Sequence, residues 1–190
     1  MYLNKVRQTL SKLLPATVKK TLQPLKALFF TKYDEELNYW KCRFENETQT
    51  FANAFYKRIL LAMAEEENDS FLKDKVVADF GCGPRGSLAW IKSTPIKIGI
   101  DVLASKYVDA FAAELLTHEM LYVDSTENTI PMPADFVDVM FTLNAMDHVD
   151  SFSTMCREVI RVLKPGGLFI GSFNIEEKTT FCEPQRLTED

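Results

Sequence analysis

The stretch VVADFGCGPRGSL, residues 76–88, decides the fold of this 190-residue chain. A valine-rich apolar run ends at Asp79-Phe80 and gives way to Gly81, Gly83 and Gly86 at the spacing GxGxxG. Behind a strand and ahead of a helix, such glycines let backbone come close to a ligand and turn a helix N-terminus toward it. The pattern therefore predicts a strand, a ligand-facing loop and a helix. Asp101 closes a second apolar run 20 positions after Gly81, where a carboxylate can accept both hydroxyls of an adenosine ribose. Asp79 narrows the ligand further, because an acid at the strand end repels a pyrophosphate and attracts an ammonium or sulfonium.

Outward from this stretch, the runs KVVADF, IKIGID, EMLYVD, DFVDVMFTL and GGLFIGSF alternate with helical patterns. Short apolar runs of this kind predict parallel strands buried by helices on both faces. The expected fold is α/β, a Rossmann-like doubly wound sheet of five parallel strands. Phe152, Met155, Val159, Val162 and Leu163 recur at helical spacing before Pro165 and Gly166, which are expected to stop that helix. A further helix is expected over about 104–117. Upstream, 34–67 reads as one or two helices carrying Trp40, Phe44, Phe51, Phe55 and Tyr56, packed on the sheet or covering its ligand. The expected organisation is an arm over 1–33, a helical cap over 34–70 and a core over 71–190.

A hydrophobic content of 46% suits one core-forming domain. The net charge of −5 conceals an asymmetry: residues 1–33 hold seven bases and no acid, and the rest holds 15 bases against 27 acids. An acidic body repels phosphate backbones, so no nucleic-acid partner is expected. The arm interleaves leucines with lysines and suits either an anionic membrane or protein surface, or packing on its own domain. Cys42, Cys82, Cys156 and Cys182 form no CxxC pair and have no nearby histidine, so thiols of a reducing compartment are expected and a metal is not. No apolar stretch reaches bilayer length and no secretory block opens the chain; a soluble, cytoplasmic protein is expected.

Taken together, D79-F-G-C-G-P-R-G86, I98-G-I-D101, Y122-V-D124-S, N144-A-M-D-H148 and L163-K-P-G-G167 resemble a class I S-adenosylmethionine-dependent methyltransferase over about 75–175. The resemblance implies strand order 3-2-1-4-5 and S-adenosylmethionine as cofactor. It implies that Asp79, Gly81 and Gly83 line the methionyl end, Asp101 the ribose and Asp124 the adenine, with Cys82, Val102, Ser125 and Asn144 completing the cofactor-binding set. Singly, Asp79 also reads as a helix cap, and Asp101 and Asp124 as strand terminators beside turns.

Methyl transfer from a sulfonium is an in-line displacement, helped most by alignment in a dry pocket, and only some acceptors need a base. His148, after the fourth strand, is the candidate base, or else it orders its loop. Tyr39, Trp40 and Arg43 read as a lid over the cofactor or a clamp on an anionic acceptor, or as ordinary core at helical spacing. His118 reads as surface, and Asp147, Asp150 or Ser151 as caps of the following helix.

Family members usually add a helix and an antiparallel strand pair after the fifth strand. CEPQRLTED has room only to begin that helix, so a C-terminally incomplete core with an exposed edge at strand five is expected. Three functional readings remain at this level. They are a methyltransferase acting on a small molecule or a sugar or glycan, a NAD-dependent oxidoreductase, and a catalytically silent cofactor-binding scaffold.

Overall fold

The computed structural model describes residues 31–180 and 183–188. The basic arm expected over 1–33 lies outside these residues, except for its last three. The described chain from Leu37 onward is one compact unit, and residues 31–36 fall outside it.

Two helices precede the sheet, α1 (Lys32–Asn46) and α2 (Phe55–Met63). Thr31 and Asp34 open α1 with a reciprocal cap: the Thr31 amide donates to Asp34 Oδ2 at 3.0 Å and the Asp34 amide to Thr31 Oγ1 at 3.3 Å. Five strands follow: β1 (Val76–Phe80), β2 (Ile96–Asp101), β3 (Leu121–Asp124), β4 (Val137–Leu143) and β5 (Leu163–Ser172). Helix α3 (Ala104–Leu115) joins β2 to β3, and α4 (Phe152–Val162) joins β4 to β5. All pairings are parallel and the strand order is β3-β2-β1-β4-β5, the expected topology. Strand β1 is thus the point from which the crossovers run to opposite sides, and ligands of such sheets bind outside the carboxyl ends there.

Alternation along β1 divides the core and orients the acid. Ala78 and Phe80 join a cluster with Met155, Val159 and Val162 of α4, whereas Val77 joins Leu60 of α2 with Leu72, Leu88 and Ile91. Two-residue periodicity puts Asp79 on the Val77 face, toward the cap.

Three expectations about elements are corrected. No α-helix follows the glycine loop; residues 84–95 form turns, with Ala89 donating to Gly86 O at 3.0 Å and Ile91 to Leu88 O at 3.1 Å, both i to i+3. Pro84, Gly86 and Pro95 leave a short window, and its ends are tied elsewhere: the Lys92 and Ser93 amides donate to Asp69 Oδ2 at 2.8 and 3.0 Å. Leu88 and Ile91, both fully buried, fix the turns in the core. Helix α4 stops at Val162, earlier than Pro165, because Leu163 is already extended and pairs with Val137; Lys164, as the residue before a proline, is also biased to extended backbone. Residues 183–188 do not begin a helix. They run extended, with a parallel bridge between Ile175 and Leu187 and the Gln185 amide on Asp147 O at 3.2 Å.

Among the described residues β5 pairs on one side only, as expected of an edge, and Leu168, Phe169, Phe173 and Ile175 along and beyond it are exposed. No helix among the described residues is long and apolar enough to cross a membrane.

Candidate functional site

The glycine loop leaves β1 with Gly81, Gly83 and Gly86 all at positive φ, between 55° and 72°. Positive φ is cheap only for glycine. Space makes the same demand at Gly81, where a Cβ would stand 2.1 Å from the Cβ of Ala145 in the loop after β4. The Gly81 and Cys82 amides donate to Ile100 O at 2.8 and 3.3 Å, and the Gly83 amide to Asp101 Oδ2 at 2.9 Å. These bonds hold the loop over the end of β2. Asp101 accepts a further amide, that of Leu103, on Oδ1 at 2.9 Å, and its carbonyl accepts the Ser125 amide at 3.1 Å. The structure thus brings Asp79, Gly81, Cys82, Gly83, Asp101, Val102 and Ser125 to one rim formed by β1 and β2 with the start of the loop after β3.

Asp79 is buried, at 2% exposure, and only one of its oxygens is satisfied. The Ser87 hydroxyl donates to Oδ2, while Oδ1 is buried with no hydrogen-bond partner. Burial pushes this carboxyl up to about 7, against the pull of the Ser87 hydrogen bond, and the charge of Asp101 adds to the rise. The hydroxyls of Tyr56 and Tyr122 are also pushed up, first by burial and further by the Asp79 charge. Asp79 therefore does not cap a helix. It is a buried acceptor lacking one donor, with the Ser87 hydroxyl on its other oxygen. Ser87, Tyr56 and Tyr122 do not stand out in the sequence as partners of this acid, since each looks like an ordinary core or turn residue.

Asp124 is exposed, and its Oδ1 accepts the Ser105 amide at 2.8 Å in the first turn of α3. Asp101 and Asp124 are register partners at the ends of β2 and β3. Ser125 Oγ is buried without a partner beside them. Asn144 lies exposed beyond β4 at φ 47°, with its amide on Ser172 O and its side-chain oxygen taking the Ser172 hydroxyl, both at 3.0 Å.

The cap meets the loop through Trp40 and Arg85. A Cβ on Gly83 would lie 3.0 Å from Trp40 Cζ2, so the indole packs directly on the glycine backbone. Arg85, 4% exposed, lies 5.5–5.9 Å from the Trp40, Phe51 and Phe55 ring centres. It donates to Ala52 O at 2.6 Å and pairs with Glu47. A guanidinium faced by three rings and satisfied by a carboxylate and a carbonyl is a stable way to bury this charge. Arg43 turns outward and pairs with the same Glu47 oxygen at 2.9 Å, and Tyr39 is exposed with its ring edge-on to Trp40. Of the three lid candidates, only Trp40 touches the loop in these contacts.

His148, in the loop after β4, is half exposed, with Nε2 3.9 Å from Asp147 Oδ1 and 3.8 Å from Glu183 Oε1. Two surrounding readings are corrected. His118 is 1% exposed rather than a surface residue, because Gly86 leaves room for its ring, and Nδ1 shares a 2.6 Å hydrogen bond with the Tyr122 hydroxyl. Asp147 does not cap α4; it is buried, and Ser151 occupies the cap position.

The rim suits S-adenosylmethionine on its own chemistry. A buried carboxylate oxygen lacking a donor fits an ammonium, and Asp101 sets a second carboxylate at the end of β2 beside the glycine loop. Residues 78–171 match the model of a family described as a methyltransferase domain. Among solved structures, the chain is similar to one in the complex between the Haloferax volcanii Trm112 methyltransferase activator and a candidate methyltransferase, at TM-score 0.55 and 20% identity over 74% of this chain and 61% of that one. It is also similar to the YcgJ protein of Bacillus subtilis, at 0.51 and 25% over 62% and 50%, and to an S-adenosylmethionine dependent methyltransferase of Mesorhizobium loti, at 0.50 and 22% over 60% and 52%. The chain thus spans half to three-fifths of the length of these structures. A search of curated proteins returns no significant match.

Proposed function

Since residues 78–171 are a class I S-adenosylmethionine-dependent methyltransferase domain, we propose that this chain transfers a methyl group from S-adenosylmethionine to a small-molecule or sugar acceptor. The observation that carries the reading is Asp79 Oδ1, a buried carboxylate oxygen without a donor beside a glycine loop at the end of β1. A fold that keeps such a group forgoes stability, which favours a ligand-binding role over a structural one. A diphosphate would meet repulsion there, which weighs against the dinucleotide reading.

In this reading Asp79, with Gly81, Cys82 and Gly83, holds the amino-acid end of the cofactor, Asp101 with Val102 the ribose, and Asp124 with Ser125 the adenine side. When bound, the cofactor supplies an electrophilic methyl on a sulfonium. Ser87 keeps the Asp79 carboxylate oriented, and the Gly83–Asp101 hydrogen bond keeps loop and ribose acid in one frame. Trp40, packed on Gly83, shields this end of the rim from water, which strengthens the electrostatics inside it. Asn144, after β4, completes the cofactor-binding set, and His148 in the same loop serves the acceptor side. Tyr39 and Arg43 border the same cap, where Arg43 is available to an anionic acceptor only by sharing Glu47.

Calorimetry with S-adenosylhomocysteine and with NADH tests the reading. Binding of S-adenosylhomocysteine that is lost in Asp79→Ala supports it. Binding of NADH alone overturns it, and cofactor binding without methyl transfer to any member of a sugar and small-acid panel would replace it with a silent binding role.

A further inference from the structure

Beyond the cofactor rim, three side chains converge after β4. Asp147 has a side chain only 6% exposed, and its Oδ1 is buried with no hydrogen-bond partner. That same atom lies 3.9 Å from His148 Nε2, and Glu183 Oε1 approaches the same nitrogen to 3.8 Å. One ligand atom from each residue falls within 4.8 Å of the others. We propose that Asp147, His148 and Glu183 bind one divalent transition-metal cation.

Several features distinguish this arrangement from a chance surface cluster. Glu183 comes from the far end of the chain and is delivered by backbone pairing: the Gln185 amide donates to Asp147 O at 3.2 Å and its side-chain amide to Asp150 O at 3.0 Å. The Glu183 carboxylate is also oriented, since Thr180 Oγ1 donates to Oε2 at 3.1 Å and leaves Oε1 toward His148. Hydrogen bonds from neighbouring groups that aim a ligating oxygen are a usual feature of metal sites. Among the described residues, no lysine or arginine pairs with either carboxylate, so the only ion-pair partner of both is one imidazole. A buried acceptor oxygen with no donor needs a cation or a proton, and this one has a nitrogen ligand and a second carboxylate beside it.

The donor set selects the ion. Two carboxylates and an imidazole suit Mn²⁺ or Zn²⁺ better than Mg²⁺, which prefers oxygen alone, and thiolate-seeking ions gain nothing here. Ligands about 2.1 Å from such an ion stand roughly 3.0–3.4 Å apart. Closure by roughly half an ångström to one and a half ångström is needed, and the side chains of His148 and Glu183 that would make it are 39% and 32% exposed. Three protein ligands leave coordination positions open to water or an acceptor oxygen, which is the pattern of a working rather than a sealed site. In that role His148 is a ligand and no proton-accepting base.

Cation binding stands independently of methyl transfer. The test uses the full chain stripped of metal by chelation and then titrated with MnCl₂, followed by electron paramagnetic resonance of free Mn²⁺ and by calorimetry. Mn²⁺ is chosen because the cysteine thiols compete poorly for it. One equivalent is expected to bind, with affinity falling about tenfold or more in Glu183→Gln and in His148→Ala. S-adenosylhomocysteine binding is expected to be unchanged in Glu183→Gln, which also reports that this variant is folded. Absence of Mn²⁺ binding, or equal binding in both variants, overturns the proposal and leaves the cofactor reading intact; saturable Mn²⁺ binding without S-adenosylhomocysteine binding does the reverse.

Discussion

Asp79 concentrates the energetics of the site at one carboxyl. Unfolded, it ionises near 3.8; in the fold it holds its proton to about 7. Between those values the native state keeps a proton that the unfolded chain has released, so stability falls as pH rises from about 4 to about 7. Asp79→Asn removes that fall, and its unfolding free energy at pH 8 is expected to exceed that of the parent by on the order of 2–4 kcal/mol, read by urea denaturation at pH 5 and pH 8. The same substitution is expected to abolish S-adenosylhomocysteine binding, so gain of stability and loss of ligand come together. In the parent, affinity should rise from pH 6 to pH 8 as the carboxylate forms opposite the ligand ammonium; a flat profile would detach Asp79 from the ligand. Ser87→Ala removes the hydrogen bond that lowers the Asp79 pKa. The midpoint of that profile is then expected to move to higher pH, with weaker binding at pH 7.

At the scale of elements, Arg85 makes the polar fastening between the glycine loop and the cap, beside the packing of Trp40 on Gly83. Arg85 satisfies the Ala52 carbonyl and Glu47 while three aromatic rings surround it. Arg85→Ala empties the cage and leaves Glu47 without its buried partner, which should cost about 2–4 kcal/mol. Hydrogen exchange should show the loss as faster exchange over residues 37–56, with β1 and β4 still protected; uniform acceleration would mean that the cap and sheet are one cooperative unit. The five strands were legible because buried parallel strands write themselves as continuous apolar runs, whereas their order came from the resemblance of the motifs to a known family. Arg85 was not legible as a core residue, because its burial depends on rings 30–45 positions upstream. Nor were the turns after Gly86 or the burial of His118. Glycine spacing alone does not state whether an amide ladder follows, and a histidine beside a glutamate reads as solvent-facing until Gly86 supplies the room for its ring. Asp147 looked like a cap because it precedes a helix; Glu183 is brought beside it by the bonds of Gln185 to the loop after β4, which no local pattern records.

For the molecule as a whole, the open edge of β5 is the main liability. Leu168, Phe169, Phe173 and Ile175 are exposed along and beyond a strand that pairs on one side among the described residues. An unpaired apolar edge invites strand pairing between copies. Concentration-dependent association is expected in sedimentation velocity, and Phe169→Lys with Ile175→Lys should reduce it without altering S-adenosylhomocysteine affinity. The exposed edge was anticipated from the sequence, whereas the path of residues 183–188 back across the loop after β4 was not, since its bonds are made by backbone and by Gln185. The turns over residues 84–95 bear on what this scaffold could become. Converting it to carry a diphosphate would require added architecture as well as exchanged residues: a neutral group in place of Asp79 takes away a repulsion, but downstream of the glycines no stacked amides point their positive ends at an incoming anion.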